Sequence, residues 1–207
     1  LAMELGPNMT SFVHVVYLPF LGASGEIKTK PAQNAVRELR GLGIVPDVVV
    51  ARSENPANPK PIISKLSMFS GVAPSGIVLM PNARSIYEVP LILQKSGIDE
   101  VIATKIDIGC PPADMRPWRA MVKSMLKTYK TTVRVGVVAK YLNNQDTYMS
   151  VFEALRSAAS ANKVNLEIDW VDAEALESSR SNRFKPLSRV DGIVVPGGFG
   201  KRGVEGK

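Results

Sequence analysis

The chain has 207 residues, 45% hydrophobic and 22% charged, with a formal net charge of +7. That balance excludes a disordered polyelectrolyte and supplies enough apolar mass for one large domain or two modest ones. No apolar run approaches the roughly 20 residues that cross a bilayer, and the N-terminus lacks the basic-then-apolar pattern of a secretory leader, so the chain reads as soluble.

The single cysteine, Cys110, rules out an internal disulfide and points to a reducing compartment. One cysteine and one histidine cannot build a Cys/His metal site. Cys110 lies before Pro111-Pro112 with no histidine nearby in sequence, which reads as a linker thiol and not a nucleophile. His14 sits inside an apolar strand and reads as a core histidine whose polar atoms are satisfied. The positive charge admits nucleic acid as a partner, but basic residues scatter instead of clustering with aromatics. Arg116, Arg119, Lys123, Lys127 and Lys130 are the exception, and a solvated helix face carries the same pattern. Polyanionic small molecules such as nucleoside triphosphates account for the charge equally well.

In chain order, Leu1–Met9 is a short helical piece ending at Gly6-Pro7, and Phe12–Pro19 is so continuously apolar that it predicts a strand buried on both faces. A Gly/Ser segment follows, then Gly25-Glu26-Ile27-Lys28-Thr29-Lys30-Pro31-Ala32-Gln33. Pro31 suits the first position of a helix, whose Ala32, Val36 and Leu39 recur at helical spacing until Gly41 and Gly43. Two lysines beside a helix N-terminus make a place for phosphate; two solvated loop lysines look the same in sequence, and these residues alone leave both open.

Asp47–Ala51 is the next strand, and Arg52-Ser53 at its end faces the crevice where α/β sheets bind ligands. A proline-rich loop, Asn55–Pro61, leads to a helix over Ile62–Ser70 that carries Lys65. Ile77–Met80 is a third strand followed by Asn82-Ala83-Arg84, and Ser85 caps a helix marked by Ile86, Val89 and Leu93. This alternation predicts a parallel, doubly wound sheet.

Asp107–Arg116, with Gly109, Pro111 and Pro112, is the boundary, placing one unit at 1–107 and a linker with its helix (Trp118–Lys130) at 108–131. In the second unit, 132–207, Val133–Ala139 is a strand, Asp146 an N-cap, and Tyr148, Val151, Phe152 and Leu155 the buried helical stripe. Leu166–Val171 is a strand, Glu174–Pro186 a polar, flexible insertion, and Asp191–Pro196 a last strand. Gly197-Gly198-Phe199-Gly200-Lys201-Arg202-Gly203 then forms a loop that lets backbone N–H groups approach an anion, as an oxyanion hole does. A tight strand-to-helix turn has the same residues, and both readings stand.

Taken together these motifs resemble one family, CTP synthase. Lys28-Thr29-Lys30-Pro31-Ala32-Gln33 is similar to that family's Lys-Thr-Lys-Pro-Thr-Gln signature, with Ala32 in place of threonine. The likeness continues through Val36-Arg37-Glu38-Leu39, Pro46-Asp47, Arg52-Ser53 and Ser85-Ile86-Tyr87. In the second unit it continues through Lys140-Tyr141, Asp146, Tyr148, Ser150-Val151 and Glu153-Ala154-Leu155 to Val195-Pro196-Gly197-Gly198-Phe199-Gly200, in family order throughout.

The resemblance implies an α/β fold of two incomplete doubly wound parallel-sheet units: the C-terminal half of a P-loop-type amidoligase (synthetase) domain, then the N-terminal half of a class I glutamine amidotransferase domain. It implies a reaction in which the uracil 4-oxygen of UTP is phosphorylated by ATP with Mg2+, and ammonia from glutamine displaces the phosphate to give CTP. Lys28, Thr29, Lys30, Pro31, Ala32, Gln33 and Lys65 then hold UTP, or CTP as feedback inhibitor. Asn82 and Ala83 lie beside ATP, in place of the family's usual Asp-Val; Gly198 contacts the oxyanion and glutamine; Phe199 and Arg202 respond to the activator GTP. Cys110 falls in the family's linker, and no metal ligand falls in this chain. P-loop, metal-binding acids and nucleophile are expected outside these residues, so the piece alone is expected to be inactive. A cytoplasmic homotetramer, with filaments as a larger assembly, and no membrane or nucleic-acid partner complete the expectation. A non-catalytic UTP/CTP-binding or assembly module derived from that enzyme is the alternative.

Overall fold

In β4 (Val48–Ser53), side chains alternate between two apolar layers, and that alternation organises the first unit. The computed structural model describes residues 2–207 except 24, 55–57, 110, 143–144, 178–181 and 199, and Cys110 and Phe199 therefore lie outside the described residues. The chain divides into two compact units, Leu1–Arg119 and Ala120–Lys207.

After a four-residue helix, α1 (Ala2–Leu5), unit 1 builds a parallel sheet in the order β1 (Val13–Leu18), β4, β5 (Ile77–Pro81). Val16 and Leu18 of β1, Val49 and Ala51 of β4 and Ile77 of β5 form one core layer under α2 (Lys30–Gly41) and α3 (Pro59–Ser70). Val48 and Val50 of β4 with Val78 and Met80 of β5 form the opposite layer, covered by α4 (Val89–Ser96) and α5 (Ile98–Lys105). Helices on both faces are what an all-parallel sheet requires.

The edge strand departs from its expectation. Val13, Val15 and Tyr17 of β1 face solvent, Val15 at 59% exposure, so β1 is buried on one face and not on two. Its apolar run is continuous because both faces are apolar, but α4 and α5 pack on β4 and β5. His14 also departs: its Nε2 is buried without a hydrogen-bond partner among the described residues, where a satisfied histidine was expected.

Other differences are local. The Gly/Ser segment folds as an antiparallel pair, β2 (Phe20–Leu21) and β3 (Glu26–Ile27). Helix α2 begins at Lys30, so Pro31 is its second residue and not its first. Helix α3 begins at Pro59 because the Asn58 side chain accepts from the Lys60 N–H, taking in residues expected to be loop. Ser85 does cap, accepting from the Tyr87 N–H at the head of a 3₁₀ turn, Ile86–Glu88, that runs into α4. Gly97, at φ +75°, closes α4 and starts α5, a helix absent from the sequence reading.

Helix α6 (Arg116–Met125) starts earlier than expected, with Asp114 Oδ1 accepting from the Arg116 N–H, and stops earlier because the Tyr129 backbone is claimed by Asn165: its N–H donates to Asn165 Oδ1 and its carbonyl accepts from Nδ2. In unit 2 the parallel sheet runs β7 (Asn165–Asp172), β6 (Thr132–Ala139), β8 (Gly192–Val194). Val135, Val137 and Ala139 of β6 pack with Tyr148 and with Val151 and Leu155 of α7 (Met149–Ala161); Val138 and Val171 pack on the other face with Ala173 and Leu176. Asp146 falls inside a 3₁₀ turn, Gln145–Tyr148, ahead of α7, and is not its N-cap. Much of the expected polar insertion is structured: α8 (Ala173–Glu177) buries Leu176, and Lys185–Arg189 is a 3₁₀ turn; Ser178–Ser181 lie outside the described residues. The observed fold is thus α/β, with a three-stranded parallel sheet in each unit. No helix among the described residues is long and apolar enough to cross a membrane.

Gly76 tests the packing of unit 1. A Cβ there would stand 2.8 Å from both the Asp47 carbonyl oxygen and Val72 Cγ1. Gly76→Ala is expected to destabilise the unit by about 1–3 kcal/mol, as overpacking does, read as a lowered urea midpoint at unchanged slope.

Candidate functional site

Two sets of chemistry-bearing residues gather past the C-terminal ends of strands, one in each unit. In unit 1 the β2–β3 pair and the start of α3 enclose an open cavity of about 560 Å³. Thr29 and Lys65 both line it, with Phe20, Gly25, Asn58 and Ile62. Its volume lies within the roughly 300–1,000 Å³ of small-ligand sites.

The structure divides the lysine loop. Thr29 is buried, and its Oγ1 accepts from Gln33 Nε2 at 3.0 Å, one turn along α2. This bond fixes the hydroxyl at the helix start and spends an amide hydrogen of Gln33. Lys28 Nζ donates to Glu26 Oε2 at 2.6 Å; the ammonium, 43% exposed, is held back against its own strand. That hydrogen bond, and after it the lysine charge, holds the Glu26 carboxyl below its ordinary range. Lys30 and Gln33 line a second cavity, of about 340 Å³, with Asn34, Arg37, Arg40 and Phe69. Pro31 is exposed, and Ala32 is fully buried in the core with no side-chain atom to offer a ligand. Of the predicted set, Thr29 joins Lys65, and Lys30 joins Gln33.

Asn82 follows β5, and its Oδ1 accepts from Arg52 Nη2 at 2.8 Å. Its N–H donates to the Ser53 carbonyl, extending the β4–β5 pairing by one residue. The amide of Asn82 is thus engaged with Arg52 at the sheet's C-terminal edge, where Ala83 is half-buried.

In unit 2 the glycine loop follows β8. Gly198 is exposed. Lys207 Nζ donates to the Pro196 carbonyl and, at 3.4 Å, to that of Gly197. All described peptides are trans, so a carbonyl turned toward Lys207 turns the N–H of Gly198 away from it. Arg202 is engaged on two sides: Nε ion-pairs with Glu174, and the guanidinium lies 5.8 Å from the Tyr141 ring centroid. Gly206 presses against the Ala173 carbonyl so closely that a Cβ has no room. Sequence reasoning missed the parts of Glu174, Glu26 and Asn58 because each depends on a partner distant in sequence, on a side-chain rotamer or on backbone geometry. It also did not single out Lys140, which directly follows the buried strand β6 and is itself buried.

No group of three or more His, Cys, Asp or Glu among the described residues could hold a metal ion. The described residues form two α/β units with parallel sheets, with a cavity edged by Lys65 and Thr29 in the first and an exposed glycine loop in the second. A family model described as CTP synthase N-terminus matches residues 1–108. Over 204 residues, 99% of the chain, identity is 43% to a CTP synthase of Streptococcus thermophilus, 42% to one of Ruminiclostridium cellulolyticum and 41% to one of Clostridium acetobutylicum. The chain belongs to the CTP synthase family. It spans 37–38% of the length of these curated relatives.

The Glu26–Lys28 pair gives a pH prediction. A carboxyl depressed by a partner contributes stability above its unfolded pKa and loses it as pH falls through the folded one. An NMR titration of Glu26 should show a midpoint below the ordinary glutamate value, returning to it in Lys28→Ala; equal midpoints in the two proteins would contradict the pairing.

Proposed function

We propose that this chain is part of an enzyme that aminates UTP to CTP with ATP and glutamine, in pyrimidine nucleotide biosynthesis. The observation that carries the reading is collinear identity of 41–43% to CTP synthases across 99% of the chain. In it, residues 1–107 belong to the synthetase domain, 108–131 to the linker, and 132–207 to a glutamine amidotransferase domain.

The cavity of unit 1 takes the triphosphate of UTP, or of CTP as feedback inhibitor. Lys65 supplies charge on one wall and the Thr29 hydroxyl a fixed polar atom on the other. Lys28 reaches the same phosphates once it leaves Glu26, an exchange between two anionic partners that costs little in solvent. Lys30 and Gln33, from the adjoining cavity, and the Pro31 and Ala32 backbone complete the grip. Asn82 and Ala83 lie beside ATP through backbone groups, since the Asn82 side chain already serves Arg52. ATP supplies the phosphoryl group that activates the uracil oxygen, and its Mg2+ is held by the phosphates and by residues other than those described.

In unit 2 the Gly198 N–H receives the oxyanion formed when glutamine is attacked, and Arg202 exchanges Glu174 for a phosphate of GTP. Phe199 shares that effector role by family resemblance. The protein works in the cytoplasm as a homotetramer that can extend into filaments, without membrane or nucleic acid.

The test is CTP formation by the full-length protein from UTP, ATP, Mg2+ and glutamine. Turnover supports the reading; saturable CTP binding without turnover supports a non-catalytic nucleotide-binding module instead. For the site, Lys65→Ala in that protein should weaken UTP and CTP together by about one to two decades, the worth of a charge-assisted phosphate contact of roughly 1.5–3 kcal/mol. Unchanged CTP inhibition would remove Lys65 from the site.

A further inference from the structure

Lys140 is the residue immediately after β6, and it is the most deeply buried lysine among the described residues, at 3% exposure. A lysine is almost never this buried without partners, because removing an ammonium from water is costly unless hydrogen bonds replace the lost hydration. Here Nζ donates to the Gly200 carbonyl at 3.1 Å, while the side-chain carbons run beneath Gly198: a Cβ on that glycine would lie 3.7 Å from Lys140 Cε and 3.9 Å from Cδ. The stem is fixed at its base, since the Lys140 N–H donates to the buried Tyr148 hydroxyl at 3.0 Å.

We infer that Lys140 is a positioning residue for the glycine loop, drawing the Gly200 carbonyl inward and the following N–H outward, so that the loop is held in shape for an anionic reaction centre outside. The inference rests on the oxyanion reading of Gly198 proposed above and extends it to a residue not previously placed in that machinery. Its logic is the trans peptide: a carbonyl drawn toward the interior commits the next residue's N–H to the opposite side. The Gly200 carbonyl bonded to Lys140 turns the Lys201 N–H outward, just as the Gly197 carbonyl bonded to Lys207 turns the Gly198 N–H away. Glycines need such a tether more than other residues, because they offer no side chain to pack and the widest choice of backbone conformation. A charged donor also does more than a neutral one. Its hydrogen bond is roughly twice as strong, and its positive charge beneath the loop adds to the potential felt by a developing oxyanion above it.

The test uses the full-length protein with Lys140→Met, which keeps the length of the stem and removes the charge, and Lys140→Arg, which keeps a charged donor. Glutamine hydrolysis is measured as kcat and KM, and CTP formation is measured separately with ammonium in place of glutamine. For Lys140→Met, glutaminase kcat should fall at least about tenfold, a fraction of the hundredfold or more that follows loss of a whole oxyanion donor. Glutamine KM should change less, ammonium-supported CTP formation should persist, and Lys140→Arg should recover part of the loss. An unchanged kcat in Lys140→Met overturns the inference, as does a fall with no recovery in Arg and equal loss of the ammonium-supported reaction, which marks a purely structural lysine. If Lys140→Met does not fold, the Arg variant decides: near-normal glutaminase kcat supports a charged tether, and a kcat as low as that of a Gly198 variant overturns it. A wild-type protein that hydrolyses no glutamine fails at the earlier step and overturns the glutaminase reading itself.

Discussion

The constraint on which both units depend is that the central strand of a parallel sheet is covered on both faces. In β4 the even-numbered residues Val48 and Val50 face one helical layer and the odd-numbered Val49 and Ala51 face the other, with Ile77–Met80 of β5 in register beside them. In unit 2 the residues of β6 divide in the same way, Val137 to the α7 side and Val138 to the α8 side. Parallel connection leaves every crossover to return over a face, so all the strands of a parallel sheet end on the same edge. Chemistry gathers there because side chains just past a strand end are positioned by a buried backbone and still open to a ligand. Asn82 and Lys140 occupy such positions, Arg52 is the next-to-last residue of β4, and Thr29 reaches the same edge through the β2–β3 pair.

That dependence explains what was legible beforehand. The strand cores and the α/β class could be read because Val/Ile runs alternate with helical periods, and periodicity is a local property. The helices α5 and α8 and the β2–β3 pair were not readable, each for a physical reason. Helix α5 follows a left-handed Gly97 that looks like a terminator; α8 is only five residues long, with its apolar stripe reduced to Ala173 and Leu176; the β2–β3 pair has two residues per strand. The solvent face of β1 was misjudged because a continuous apolar run states what both faces tolerate and not what covers them.

The candidate sites were legible to a similar depth. Lys28, Thr29 and Lys30 could be named because lysines beside a helix start form a local pattern, whereas Lys65, inside α3, was named only through the family resemblance. The pairing of Thr29 with Gln33, of Lys28 with Glu26 and of Arg202 with Glu174 could not, since each depends on rotamers or on contacts up to 28 residues apart. These pairings alter the chemistry. A lysine already bonded to a carboxylate presents no free charge until a stronger anion displaces that partner, whereas Lys65 lines the cavity without a described hydrogen-bond partner.

The two units therefore use lysine in opposite ways, and exposure decides which. Lys28 is solvated and shares its charge with Glu26, so its electrostatic effect is screened, and its side chain must lose rotamer freedom before it can grip a phosphate. A lysine of that kind suits a ligand that comes and goes, because its free and bound states differ by little. Lys140 has already lost water and rotamer freedom when the protein folds, and its hydrogen bond to a backbone carbonyl holds in the absence of any ligand. A lysine of that kind suits a loop whose geometry must be in place before reaction, since no reorganisation is then required at the moment charge develops. In the roles proposed above, the ammonium group is a reversible contact in one unit and a fixed support in the other, and burial is what separates the two.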